Sequence, residues 1–206
     1  SWEIFRRGKL SGSRVKDLVV KKGFEEKIGY YAIIAERLAI KPDGENPMMR
    51  GVRIEEEAME RFEEETKKKL NKELVIWQDE ELPSFTISPD GYVEMIGKKR
   101  VKKITEAVEC KSLNSERHVE ALIKQKVPKE HEEQVKWYFI INPDLKTLYM
   151  VFYDPRMAIH DFFYLTINRS DYEKDELSEL KAEMVGKMER IDEQVASLIK
   201  GTKLDF

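Results

Sequence analysis

The sequence has a single cysteine, Cys110, among its 206 residues. One cysteine excludes an intrachain disulfide, and it excludes an iron–sulfur centre ligated by cysteines of this chain alone. Apolar runs are also short, and none reaches the roughly 20 residues that a membrane-spanning helix needs. No segment at the N-terminus has the pattern of a signal peptide. We therefore expect a soluble protein of the reducing cytoplasm.

An excess of charge of one sign is also missing. Lys and Arg number 37 and Asp and Glu number 40, so the formal net charge is −3. This balance does not indicate a nucleic-acid-binding protein, but it does not exclude one, because a basic channel can coexist with an acidic exterior. The length is sufficient for one domain with a sizeable core. We predict that residues 1–206 form a single domain.

The most informative stretch is residues 88–112. It begins with Ser88 and the turn signal Pro89-Asp90-Gly91, in which Pro fixes φ and Gly tolerates positive φ. Two strand patterns follow, residues 92–96 and residues 101–111. Between them, Lys98-Lys99-Arg100 either contacts DNA or forms a solvated hairpin tip.

A tight turn between two strands predicts antiparallel pairing, which brings Asp90 near Glu109. Alternation places Lys111 on the face of Glu109 and places Ile104 on the opposite face with Cys110. Two carboxylates on rigid strands are hard oxygen ligands that suit Mg²⁺ or Mn²⁺. A bound ion polarises a phosphoryl oxygen, and a nearby lysine orients water or offsets charge. Taken singly, Pro-Asp-Gly is also compatible with a plain turn, and Glu-x-Lys with an exposed ion pair.

The remaining periodicities predict helices and further strands around this stretch. Helical spacing indicates a helix at 50–70, in which Glu55 adjoins the apolar stripe, and a helix at 129–137 that carries Gln134. Ser13 is compatible with a helix cap and, together with Arg6, with an anion site. The other predicted elements are helices at 24–39 and 171–200, a helix after Ser115, and strands at 73–78, 84–87, 137–141, 147–153 and 159–167. This order predicts an α/β fold with a mixed sheet sandwiched by helices.

In five blocks the sequence resembles the phage lambda-type exonucleases (the viral recombination or alkaline exonucleases) of the PD-(D/E)xK nuclease superfamily. The blocks are Arg6-x-Gly8-x-x-Ser11-Gly12-Ser13, Gly51-x-x-x-Glu55-x-x-Ala58 ending in Phe62, Ser88-Pro89-Asp90-Gly91, Glu109-x-Lys111 and Gln134-Val135. The resemblance implies a restriction-endonuclease-like core with N-terminal helices and a long C-terminal helix. It also implies a metal-dependent exonuclease that degrades one strand of linear double-stranded DNA, 5′ to 3′ from 5′-phosphorylated ends, for recombination by single-strand annealing.

The same resemblance implies roles for individual residues. Asp90 and Glu109 would bind Mg²⁺ (or Mn²⁺), as one or two ions, with the Cys110 carbonyl as a third ligand and Glu55 reaching a second ion or a bound water. Lys111 would position the attacking water, and Gln134 would hold the nucleophile or the scissile phosphate. Positions that would bind the 5′-terminal phosphate are Arg6, Ser13, Ser88 and Arg117. Family members often form a trimeric ring around DNA and bind a single-strand annealing protein. The resemblance therefore implies a homo-oligomer with such a partner, and it also implies a prokaryotic host cell.

The sequence departs from the family where Ser112 replaces the usual proline, and where His131 and Lys136 replace an aromatic residue and a second glutamine near Gln134. Two alternatives stay open. One is a structure-specific or restriction-type endonuclease on the same fold, which the block containing Arg6 disfavours because it suits an enzyme that starts at DNA ends. The other is a non-catalytic DNA-binding module.

Overall fold

The computed structural model describes Glu25 and residues 27–28, 31–32, 34–35, 47–96 and 102–201. The described residues between 28 and 35 are helical, as predicted, whereas Glu25 and Lys27 are not helical, so the prediction of a helix from residue 24 is wrong at its start. The remaining residues of the predicted 24–39 helix lie outside the described residues. The basic turn Lys98-Lys99-Arg100 also lies outside them. The further elements are α1 (Pro47–Thr66), β1 (Trp77–Gln78), β2 (Thr86–Ile87), β3 (Gly91–Ile96), β4 (Lys102–Lys111), α2 (Ser115–Lys124), α3 (Lys129–Ile141), β5 (Thr147–Tyr153), β6 (Phe162–Asn168), a 3₁₀ turn (Arg169–Asp171) and α4 (Lys174–Gly201).

A mixed sheet of four strands in the order β3-β4-β5-β6 forms the centre of the fold. β3 and β4 are antiparallel, and β5 and β6 are antiparallel. β4 and β5 are parallel, so the chain must cross over between them, and it does so through α2 and α3. A separate antiparallel pair joins β1 to β2. The predicted mixed sheet flanked by helices is confirmed.

α1 covers one face of the sheet. Its residues Ile54, Ala58 and Phe62 recur at helical spacing and pack with Val108 and Val151 of the central strands. The helix begins at Pro47, earlier than predicted, and proline is favoured at the first position of a helix. It ends at Thr66 rather than near residue 70, because the next residue, Lys67, takes a positive φ of 58°.

α3 covers the opposite face with Val135, Tyr138 and Phe139, which pack on a core that includes Ala107 and Leu148. The prediction of a strand at 137–141 is wrong, because α3 continues to Ile141. Its buried residues are spaced by three and four, which is the spacing of one helix face. Burial of that face against the sheet outweighs the β propensity of the aromatic and β-branched residues in this segment.

Ile104 also departs from the prediction, because it packs in the core on the α3 side with Ala107. Val93 pairs with Glu106 whereas Glu94 pairs with Ile104, so Thr105 is an extra residue in β4. A bulge of this kind reverses the alternation on one side of it. Beyond the bulge the predicted alternation holds, and this is the part of β4 that carries Glu109 and Lys111.

The last strand and helix complete the fold. β6 begins at Phe162 rather than at residue 159, because His160 adopts a positive φ of 54° that a strand does not accommodate. α4 follows the 3₁₀ turn and packs on α3 through Leu177, with an ion pair between Lys136 and Glu176. None of the helices within the described residues is apolar and long enough to cross a membrane.

Candidate active site

The pairing of β3 with β4 fixes the position of Asp90. Its backbone N–H donates to the carbonyl of Val108 at 3.1 Å, which continues the ladder by one residue beyond Gly91. The Asp90 Oδ2 atom then accepts a hydrogen bond of 2.7 Å from the backbone N–H of Cys110. Gly91 does not adopt a positive φ, but its backbone packs closely: a Cβ there would lie 3.2 Å from a methyl of Leu70, which would have to shift by a few tenths of an ångström. The predicted approach of the turn to the end of β4 is therefore observed.

Glu109 is the most tightly held acidic group of this region. Its side chain is 7% exposed. The Oε1 atom accepts hydrogen bonds from Lys111 Nζ at 2.7 Å and from Gln134 Nε2 at 2.8 Å. The Oε2 atom accepts a hydrogen bond from the hydroxyl of Tyr138. Donors on β4 and on α3 thus fix both oxygens of one carboxylate.

Asp90 has an unusual protonation equilibrium. Burial and the charge of Glu109 raise its pKa to about 7, although the Cys110 N–H opposes this shift and Glu55 adds to it. Within the part of the chain that the structure describes, Asp90 Oδ1 accepts no hydrogen bond. The carboxylates of Asp90 and Glu109 therefore repel one another, and one oxygen of Asp90 is open to a ligand.

Glu55 approaches the same region from α1. It lines a pocket of about 180 Å³ together with Cys110, Lys111 and Ser112 at the end of β4, and with Ile54 and Ala58 of its own helix. Burial raises the pKa of Glu55, the charge of Glu109 raises it further, and Lys111 lowers it. The structure therefore brings Glu55, Asp90, Glu109, Lys111 and Gln134 together.

Of the four residues predicted to bind a terminal phosphate, two lie within the described residues. Arg6 and Ser13 lie outside the described residues. Ser88 is exposed at the entry to β3, and its hydroxyl donates to the carbonyl of Val75 at 2.6 Å. Arg117 is partly exposed on α2 and pairs with Glu120 at 2.7 Å. Binding of a phosphate by these residues stays a prediction.

Tyr138 is a residue of the site that the sequence analysis missed. It is fully buried, and its hydroxyl also lies 3.0 Å from the carbonyl of Ser88. Burial and the neighbouring charge of Glu109 raise the pKa of Tyr138, so the hydroxyl keeps its proton and acts as a donor. The signal was the spacing of four residues from Gln134, which places both side chains on one face of a helix. Assigning residues 137–141 to a strand concealed it.

Residues 1–143 match the model of the YqaJ-like viral recombinase domain. The chain belongs to the YqaJ-like viral recombinase family. Among solved structures, it is similar to an alkaline exonuclease (LHK-Exo) from Laribacter hongkongensis, with 26% identity, coverage of 96% of this chain and 100% of that chain, and a TM-score of 0.55. The structure of LHK-Exo in complex with dAMP gives 25% identity, coverage of 96% and 98%, and a TM-score of 0.54. No curated protein matches the sequence.

These comparisons confirm the predicted resemblance to the lambda-type exonucleases and the PD-(D/E)xK fold. The YqaJ-like chain is a nuclease of the recombination exonuclease family, and this family membership supports a deoxyribonuclease. In that setting, the convergence of Asp90, Glu109 and Lys111 at the end of two paired strands is the candidate active site.

The chemistry of the acidic residues is compatible with a divalent metal ion. Glu109 uses three of the roughly four lone-pair positions of a carboxylate for hydrogen bonds, so one position remains. Asp90 Oδ1 is open, and the repulsion that raises the pKa of Asp90 is relieved by a cation between the two groups. Among the described residues, no three side chains of His, Cys, Asp or Glu are arranged as a complete metal site. A site of two carboxylates, completed by carbonyl, water and phosphate oxygens, is the kind that Mg²⁺ prefers.

Proposed function

We propose that this protein is a Mg²⁺-dependent exonuclease that hydrolyses linear double-stranded DNA from 5′-phosphorylated ends in the 5′ to 3′ direction, and that it serves recombination by single-strand annealing. The observation that carries the proposal is the cluster of Asp90, Glu109 and Lys111, held by Gln134, in a chain of the recombination exonuclease family. The proposal includes double-stranded DNA ends as substrate. It also includes a homo-oligomer and a single-strand annealing protein as partners, by the resemblance alone.

Asp90 and Glu109 would hold the ion, with the Cys110 carbonyl as a further ligand and Glu55 acting on a second ion or through a bound water. Mn²⁺ would substitute, because it accepts the same oxygen ligands. When bound, the ion supplies a Lewis acid that polarises the phosphoryl oxygen and lowers the pKa of the attacking water.

Lys111 would orient that water and offset negative charge that grows on the phosphate in the transition state. Its ammonium is 2.7 Å from Glu109 Oε1, so the lysine is already held beside the acidic pair and little reorganisation is needed. Gln134 has two amide hydrogens, and one of them is used on Glu109. The second has no acceptor within the described residues and would bind the water or a phosphate oxygen.

Ser88 and Arg117, together with Arg6 and Ser13, would bind the terminal 5′ phosphate. A guanidinium group and hydroxyl donors suit a phosphate dianion, because hydrogen bonds that involve an ionised group are stronger than those between neutral groups. Engaging this terminal group would commit the enzyme to strand ends.

The test uses linear duplex DNA labelled on one strand, with either a 5′ phosphate or a 5′ hydroxyl. Digestion is followed in Mg²⁺ and in EDTA for the parent and for Lys111→Ala. We expect Mg²⁺-dependent loss from the 5′ end that is faster with the phosphate, and loss of activity in Lys111→Ala. Lys146→Ala is a matched control, since Lys146 is an exposed lysine on the loop before β5.

Two outcomes would contradict the proposal. Cleavage of closed circular DNA would assign an endonuclease on the same fold. Binding of DNA without cleavage in Mg²⁺ or Mn²⁺ would assign a non-catalytic binding module.

A further inference from the structure

His131 lies on the same face of α3 as Gln134 and Tyr138. Gln134 and Tyr138 both hydrogen-bond to Glu109. His131 precedes Gln134 by three residues and Tyr138 by seven, so the three side chains lie on one helix face. The His131 side chain therefore extends that face by one turn towards the N-terminus of α3.

Charged residues of the candidate active site influence the pKa of His131. Burial lowers its pKa, and the positive charge of Lys111 lowers it further. The carboxylates of Glu109 and Glu130 act in the opposite direction. Two residues of the catalytic cluster, Lys111 and Glu109, therefore act on the imidazole.

The ring is partly exposed, and neither of its nitrogens has a hydrogen-bond partner among the described residues. His118 on α2 provides a contrast, because its Nε2 atom pairs with the carbonyl of His160 at 2.8 Å. A partly buried imidazole that lacks a ring partner within the described residues, and on which the charge of a lysine acts, can bind an anion. The substrate of a nuclease carries such an anion at every phosphodiester.

We propose that His131 is a substrate-binding residue whose ring N–H donates a hydrogen bond to a phosphate oxygen of the DNA strand that is being cleaved. This inference rests on the proposed function and adds a binding residue to its site.

The test compares His131→Phe, which keeps the ring area but removes the N–H, with His131→Gln, which keeps an N–H donor. The control is Glu133→Gln, an exposed position on the same helix. Circular dichroism and thermal melts verify folding. The readouts are kcat and KM on 5′-phosphorylated duplex, and the affinity for the same duplex from fluorescence anisotropy in Ca²⁺.

We expect His131→Phe to raise KM and the dissociation constant about tenfold with kcat within about twofold of the parent, because one hydrogen bond to a charged group is lost. His131→Gln should stay within about threefold of the parent. Parent values of KM and of affinity in His131→Phe would overturn the proposal, and so would a fall in kcat alone, which would place the ring in the chemical step. Absence of cleavage by the parent would refute the proposed function instead, and the anisotropy measurement would still test His131.

Discussion

Replacing Tyr138 by phenylalanine removes one hydroxyl from the candidate active site and changes little else. The ring is fully buried and packs edge-to-face on Trp77 at 6.1 Å, so phenylalanine fills the same space. What is lost is the donor that orients Glu109 Oε2. Glu109 keeps its donors on Oε1 and can rotate about them, so we expect the metal affinity to fall.

The structure sets the size of this effect. A hydrogen bond to a charged group contributes about 1.5–3 kcal/mol, and loss of a residue that orients a metal ligand typically costs 10- to 100-fold in metal affinity or activity. We therefore expect Tyr138→Phe to lower the free energy of unfolding by about 1.5–3 kcal/mol in EDTA. We also expect about a tenfold or larger increase in the Mg²⁺ concentration that gives half-maximal nuclease activity.

Tyr149→Phe provides a matched control. The Tyr149 hydroxyl donates to Glu106 Oε2 at 3.0 Å, also on β4 but outside the candidate site. Both variants lose one tyrosine-to-glutamate hydrogen bond, so urea denaturation should register a loss in each. Only Tyr138→Phe should change the Mg²⁺ titration. Equal Mg²⁺ requirements for the two variants and the parent would refute the argument that Tyr138 orients a metal ligand.

Two further predictions concern pH. Burial and the charge of Glu109 raise the pKa of Asp90 to about 7. The free energy of unfolding in EDTA should therefore fall by up to about 1.4 kcal/mol per pH unit as pH rises from about 4 towards 7. Asp90→Asn should remove this pH dependence and be more stable than the parent at pH 8. Equal melting temperatures at pH 8 would contradict this. Burial lowers the pKa of His118 in the folded protein below its value in the unfolded chain. As pH decreases below about 6.5, His118 becomes protonated in the unfolded chain before it does in the folded protein, so the free energy of unfolding should fall. His118→Gln should remove that loss in urea denaturation, and an unchanged pH profile would show that His118 does not cause it.

The sequence correctly predicted the part of the site whose geometry follows from turn and strand patterns. Turn chemistry at Pro89-Asp90-Gly91 and the alternation of β4 beyond its bulge correctly placed Asp90 near Glu109, and placed Glu109 and Lys111 on one face. The extra residue Thr105 could not be foreseen, because a bulge depends on the pairing with β3 rather than on the composition of β4.

The sequence was insufficient where tertiary burial decides the local structure. Residues 137–141 have strong β propensity, yet they continue α3 because one face of that helix packs on the sheet. That error concealed Tyr138. The approach of Glu55 to the site is likewise a consequence of packing, since α1 lies on the opposite face of the sheet from α3 and the pocket is lined jointly by α1 and the end of β4.

The two helices and the strands contribute differently to the site, and this difference has a consequence for variants. β3 and β4 fix the separation of Asp90 and Glu109 through the backbone hydrogen bonds of the ladder. α3 contributes only side-chain donors to a carboxylate that is already in place. Loss of a carboxylate should therefore abolish metal binding at the site, whereas loss of a donor on α3 should weaken it by a measurable factor. The face of α3 is then the part of the site on which the affinity for metal and for DNA can be adjusted without losing the reaction.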